Sequence, residues 1–159
     1  MSIPSRLSSY LEGRGTRYEV CPHEHSRSSA ESARTAHVQP HQLAKSVLLE
    51  DEAGCVLAVV PADKTVMLGQ IAELLGRRGL HLADEERIAM VFQECELGAV
   101  PAVGMAWGLD TVVDDELEAN EVVYMEGGDH ERLLRLSREQ FRALMSTARH
   151  GHFSRAPLH

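Results

Sequence analysis

A chain of 159 residues with 43% hydrophobic residues is sized for one domain, able to bury roughly 70% of its unfolded surface without a disulfide staple. A net charge of −8 and a pI near 5.6 exclude tight, unspecific nucleic-acid binding, because neutralised phosphates supply most of that affinity, but they leave room for brief contact with one RNA end. The longest apolar runs, such as Cys55 to Pro61, are far short of the roughly 20 residues that span a bilayer, and the Met-Ser-Ile-Pro-Ser-Arg start has no basic segment leading into an apolar one, so a cytoplasmic setting is expected.

Leu7, Tyr10 and Leu11 have helical spacing and run into the Gly13/Gly15 pair, which predicts a helix and its C-cap; Arg17 to Cys21 then alternates like a short strand. Ser28 precedes Glu31 by three residues, the pattern of a capping box, and opens an alanine-rich helix expected to end near Val38 and Pro40. Two β-rich runs, Lys45 to Glu50 and Val56 to Val60, flank the turn-like Asp51-Glu52-Ala53-Gly54 and read as a hairpin. Leu68, Ile71, Ala72 and Leu75 form a helical stripe, and Asp84 is placed to cap a second helix carrying Ile88, Val91 and Phe92. Strands are expected at Thr111 to Val113, Val122 to Met125 and, after Gly127-Gly128, Leu133 to Leu136. Ser137 should cap a last helix through Phe141, Leu144 and Met145, leaving residues 1–148 as one domain and 149–159 as a loose C-terminal tail. Helices interrupt the strands without steady β-α-β alternation, so the expected class is α+β with a mixed, barrel-like sheet flanked by helices.

Only two of the 16 basic residues are lysines, Lys45 and Lys64. Lys45 opens a strand and alternates onto one face with Val47 and Leu49. Were that face inward, its ammonium could donate to an ester carbonyl where charge develops in a tetrahedral transition state; otherwise its stem lies on apolar surface with the head in water. The segment Gly98-Ala99-Val100-Pro101-Ala102-Val103-Gly104 can bring bare backbone N–H groups to a ligand or serve as an ordinary turn, and it matches neither a Walker loop nor a dinucleotide fingerprint. His23, His25, His37 and His41 invite a metal reading, but Pro40 breaks the helix that would align the last two and no zinc-ligand spacing accompanies them. Cys21, Cys55 and Cys95 lack a C-x-x-C pair and are expected to be reduced. No serine lies in a nucleophile elbow. The acidic stretch from Asp110 to Glu126 reads as a solvated face, within which Asp114, at a strand end, is the one carboxylate placed to reach a pocket rim.

The order of His23-Glu24-His25 before a Ser/Ala-rich helix, then QLAKSVLLED (42–51), VLAVVPAD (56–63), LADEERI (82–88), CELGAVPAVG (95–104), DTVVDDEL (110–117) and LLRLSREQFRALM (133–145) resembles the YbaK-type aminoacyl-tRNA deacylases, relatives of the editing domain of bacterial prolyl-tRNA synthetase, over about residues 5 to 147. The resemblance implies a trans-editing hydrolase that removes a small amino acid from the terminal ribose of mischarged tRNA without metal or other cofactor. Its implied partners are the aminoacyl-tRNA acceptor end and a synthetase, not DNA or a membrane. It implies that Lys45 binds or polarises the acyl end, that the loop carrying Gly98, Ala99, Val100, Pro101, Ala102 and Gly104 holds the aminoacyl group through backbone contacts, that Asp114 matches a catalytic aspartate, and that His23 lines the same pocket. One departure stands out: the family loop runs Gly-x-x-x-Pro, whereas here Ala102 holds the proline position and Pro101 comes one residue early. That departure keeps a second reading in view, a non-catalytic module of the same fold that captures an aminoacyl or nucleotide ligand or regulates a synthetase.

Overall fold

A computed structural model of the chain describes residues 3–157. Helix α1 (Ser5–Gly13) buries Leu7 and Leu11. After β1 (Glu19–Pro22), Ser28 Oγ accepts the Glu31 amide at 3.2 Å and starts α2 (Ser29–Thr35), so the capping box read from sequence does cap a helix. The hairpin forms from β2 (Leu43–Asp51) and β3 (Gly54–Pro61), paired from Ala44↔Pro61 to Asp51↔Gly54. Then come β4 (Thr65–Val66), α3 (Leu68–Leu75), β5 (His81–Leu82) and α4 (Glu85–Val91), the last capped by the Asp84 carboxylate on the Arg87 amide at 2.8 Å. The chain continues through β6 (Asp110–Asp114), β7 (Val122–Glu126), β8 (Arg132–Ser137), α5 (Arg138–Leu144, capped by Ser137), β9 (Arg149–Gly151) and β10 (Ser154–Arg155). The two- and three-residue strands β4, β5, β9 and β10 are too short to show a periodicity, which is why sequence pattern passes over them.

One mixed sheet runs β1-β8-β7-β2-β3-β6-β9, with β5 added on β2, while β4 and β10 pair separately. Neighbours β7/β2, β3/β6 and β6/β9 are parallel and the rest antiparallel. The sheet curls around a core without closing: Ala44, Leu48, Leu57, Val59, Val113, Val123, Met125, Leu134 and Leu136 meet Leu7 and Leu11 of α1, Phe92, and Phe141 and Leu144 of α5 in one buried cluster. Alternate residues of the same strands face outward. Leu49, Val56, Ala58, Val60 and Val112 pack under Ile71 of α3 and Phe153, and Leu43 and Leu133 pack under Ala33 of α2.

The pairing of β2 creates an opening. It meets β7 only at Leu43↔Tyr124 and Ala44↔Met125, and β5 only at Leu49↔Leu82 and Glu50↔His81, with the Leu48 carbonyl taken by the Ala83 amide. Residues 45 to 47 therefore present a strand edge that no other strand covers among the described residues. An uncovered edge at the centre of a sheet is where a ligand can approach backbone and side chains together.

Residues 149–155 are not a loose tail. β9 extends the sheet on β6, Phe153 is 1% exposed, its amide donates to Asp114 Oδ2 at 2.9 Å and its carbonyl accepts from Met67. Composition hid this, because polar residues surround a single buried aromatic; the expected tail's last two residues lie outside the described residues. Phe153→Leu should lower unfolding free energy by roughly 1–2 kcal/mol, read from the denaturation midpoint, and an unchanged midpoint would return the segment to the status of a tail.

Candidate functional site

A cavity of about 380 Å³ opens beside the uncovered edge of β2. Lys45 and Ser46 line it from β2, Ser28 to Ala30 from the start of α2, Ile88 from α4, and Gly98 and Val100 from the following loop; Leu48, Leu57, Ala62 and Phe92 complete a mainly apolar wall. Few charged groups and an apolar lining are what a small-molecule subsite needs, since polar groups then act undiluted by water.

Lys45 borders the cavity although Val47 and Leu49, with which it alternates, turn toward α3. Its ammonium donates to the Lys64 carbonyl at 2.6 Å, at the turn after β3, and the side chain is half-buried. Burial pushes its pKa below the ordinary lysine value, and Asp63 partly offsets this. The result is a desolvated cation held by one carbonyl.

The loop splits into two roles. Gly98 and Val100 line the cavity, and among the described residues neither amide has an acceptor. Gly98 has φ 81, and a Cβ there would meet the Arg27 carbonyl and the His130 ring at 3.2 Å, so only glycine fits. Ala99, Pro101, Ala102 and Gly104 instead pack into the core, Gly104 against Leu57 and Thr111, and do not line the cavity. Ala102 in the place of proline thus fills core space behind the loop.

Two other expected residues stay outside the cavity. Asp114 is fully buried, but its carboxylate accepts the Glu116 amide at 2.9 Å and the Phe153 amide at 2.9 Å. Both oxygens are therefore engaged in joining β6 to the turn after it and to the C-terminal segment. Asp114→Asn would leave one of these N–H groups facing an amide NH₂, an orphaned buried donor costing about 1–3 kcal/mol; a lowered melting temperature with an unchanged rate in the folded protein is expected, and the opposite pattern would bring Asp114 back to the chemistry. His23 packs against α2, with Nδ1 3.2 Å from Thr35 Oγ1 and 2.6 Å from the Glu24 carbonyl. His37 takes φ 58 beyond the end of α2, and His41 bonds Asn120 at 2.9 Å. The trio with metal-like spacing among the described residues is a different one, Asp115, Glu118 and His150 at the surface.

Pattern reading missed three groups, one that lines the cavity and two buried behind its wall. Ser46 Oγ is shielded from solvent without a hydrogen-bond partner. His130, 3% exposed with φ 59, donates from Nε2 to the Leu97 carbonyl at the start of the loop, and its Nδ1 lies 3.5 Å from Ser26 Oγ ahead of α2. Glu126, placed by sequence on a solvated acidic face, is instead 1% exposed. Ser32 of α2 donates to its Oε2 at 3.2 Å and lies 2.6 Å from Ser26, so a buried polar chain runs from Glu126 through Ser32 and Ser26 to His130 and the loop. Only the alternation of Val-Val-Tyr-Met-Glu, which puts Glu126 on the face of Tyr124 toward α2, hinted at this burial.

The model of the aminoacyl-tRNA editing domain family matches residues 23–144, most of the chain and every element around the cavity. The chain belongs to that family. No curated protein sequence matches it. Among solved structures, a candidate trans-editing enzyme for prolyl-tRNA synthetase is 25% identical, with a TM-score of 0.81 and 95% of this chain and 96% of that one covered. A scaffold from work on grafting epitope backbones by computational design is 25% identical at TM-score 0.80, covering 96% of each chain. A hypothetical protein that is 24% identical at TM-score 0.83, covering 95% of this chain and all of its own, shares the fold. The editing-domain family thus accounts for the mixed sheet, and no helix is long and apolar enough to cross a membrane among the described residues.

Proposed function

We propose that the chain is a trans-editing hydrolase of the cytoplasm that cleaves the ester between a wrongly attached small amino acid and the terminal ribose of tRNA. The observation that carries this reading is that one small apolar cavity is lined by Lys45, whose ammonium is partly desolvated, and by Gly98 and Val100, whose amides lack acceptors among the described residues. A water oxygen forms a bond to the ester carbonyl carbon, negative charge gathers on the carbonyl oxygen, and the C–O bond to the ribose then breaks, with the ribose oxygen taking the proton that the water gives up. Lys45 and the loop amides face the oxygen that acquires charge, and no protein nucleophile is required. Positioning of this kind suffices for an ester that is already labile. The acceptor end of aminoacyl-tRNA is the ligand, reached without a broad basic surface, and a synthetase is the partner whose errors it corrects.

One observation favours a second reading, a binding module without turnover: the Lys45 ammonium already spends a hydrogen bond on the Lys64 carbonyl. A lysine has three N–H donors, so two remain for substrate. A panel of mischarged tRNAs, incubated with the purified chain and followed by loss of the aminoacyl label, separates the two. Hydrolysis of at least one member supports the editing hydrolase; saturable binding with no member hydrolysed supports the module.

A further inference from the structure

Of the serine and lysine side chains of the residues that line the cavity, one has a polar atom without a hydrogen-bond partner. Ser28 Oγ accepts the Glu31 amide, Ser29 Oγ donates to the Gly98 carbonyl at 3.5 Å, and Lys45 Nζ donates to the Lys64 carbonyl. Ser46 Oγ is hidden from solvent and has no partner. A buried hydroxyl in that state is destabilising, and alanine at the same place would leave nothing unsatisfied. An unpartnered hydroxyl on a residue that lines a cavity is the arrangement expected where the missing partner arrives with the ligand.

The strand geometry says which part of the ligand that is. Successive side chains of β2 point to opposite faces, so Ser46 alternates with Ala44 and Leu48, toward the interior cluster, while its neighbour Lys45 does not. Ser46 stands across from Val59, with Leu48 and Leu57 beside it in the wall. A carbonyl engaged by Lys45 and the Gly98 and Val100 amides therefore leaves Ser46 to address a different group, one that enters the apolar interior. On an aminoacyl ester that group is the amino-acid side chain. No carboxylate lines the cavity, so the wall suits a neutral side chain rather than a cationic one.

We infer that Ser46 reads the side chain of the edited amino acid and selects a hydroxyl-bearing group, of the seryl or threonyl kind, over an apolar group of the same size. The inference rests on the editing reading of the cavity. It predicts discrimination, because a hydroxyl-bearing group gains a hydrogen bond to Ser46 that its apolar isostere cannot make, whereas an apolar pocket separates such isosteres weakly.

Seryl and 2-aminobutyryl groups differ by a hydroxyl in place of a methyl. Their amide-linked adenosine analogues, which cannot be hydrolysed, should be titrated against the wild-type chain and Ser46→Ala, beside hydrolysis of the matching tRNA esters. The wild type should bind the seryl analogue at least about tenfold more tightly, and Ser46→Ala, with a melting temperature no lower than that of the wild type, should lose that preference by weakening the seryl analogue alone. Equal binding by the wild type, or binding of neither analogue, overturns the inference. So does a Ser46→Ala variant that weakens both equally, which would place the hydroxyl on the ester or the amine. A hydroxyl preference in binding with no hydrolysis of either ester sustains the role of Ser46 and removes the hydrolase reading, so the two failures are told apart.

Discussion

Lys45→Ala is expected to lower the deacylation rate by about 100- to 1,000-fold, the loss that follows removal of one donor from a developing oxyanion. The effect should fall on the catalytic rate constant more than on binding, since the ammonium contributes most where charge has gathered. Lys45→Arg should not restore the rate, because a planar guanidinium cannot keep both the Lys64 carbonyl and the position of the ammonium. The variant should fold: Lys45 is a half-buried cation with one carbonyl partner, and its loss removes a desolvated charge rather than a packed side chain. The pH profile adds a check whose sign is fixed. Burial lowers the Lys45 pKa, so the charged form is lost as pH rises through that lowered value, and the enzymatic rate relative to spontaneous ester hydrolysis should decline on the alkaline side. A variant that keeps the wild-type rate on every substrate removes Lys45 from the mechanism.

The legibility of this site in the sequence followed the kind of signal each residue carries. The three caps, at Ser28, Asp84 and Ser137, and the hairpin around Asp51–Gly54 were readable because caps and turns are local, set by a few adjacent residues. Lys45 was readable as unusual from composition alone, and as functional from the order of motifs around it. Ser46 was not, because a serine in a strand carries no mark of being unpartnered; that property belongs to what Val59, Leu57 and Phe92 leave around it. Asp114 and Phe153 show the opposite failure. Each looked separable, one a rim carboxylate and the other part of a tail, yet a bond across 39 positions of sequence joins them. The loop departure at Ala102 also changes meaning in three dimensions, since the side chain is wholly buried behind the loop and the cavity is met by Gly98 and Val100.

Glu126 should make stability fall with rising pH across the neutral range, against the usual behaviour of a carboxylate. Burial pushes its pKa from 4.5 up to about 8, Asp129 adds to the rise, and the bond from Ser32 opposes it. The carboxyl is therefore protonated in the folded chain at neutral pH, consistent with an oxygen, Oε1, that is buried and unpartnered. Between pH 4.5 and about 8 the folded chain holds a proton that the unfolded chain has released, so unfolding is favoured as pH rises, by up to about 1.4 kcal/mol per pH unit. This contribution is fully present below 4.5 and gone above about 8. Glu126→Gln cannot ionise and can still accept from Ser32. Its stability should therefore lack this slope and exceed that of the wild type by a margin that widens toward pH 8. Subtracting the two curves, measured by urea unfolding at several pH values, isolates Glu126 from Asp129 and His130 nearby. A flat difference would mean an ionised carboxylate and a site linked differently from the chain of Glu126, Ser32, Ser26 and His130. The same ionisation bears on the cavity, because Ser32 is fixed by Glu126 on the helix whose first turn, Ser29 and Ala30, forms part of the cavity wall.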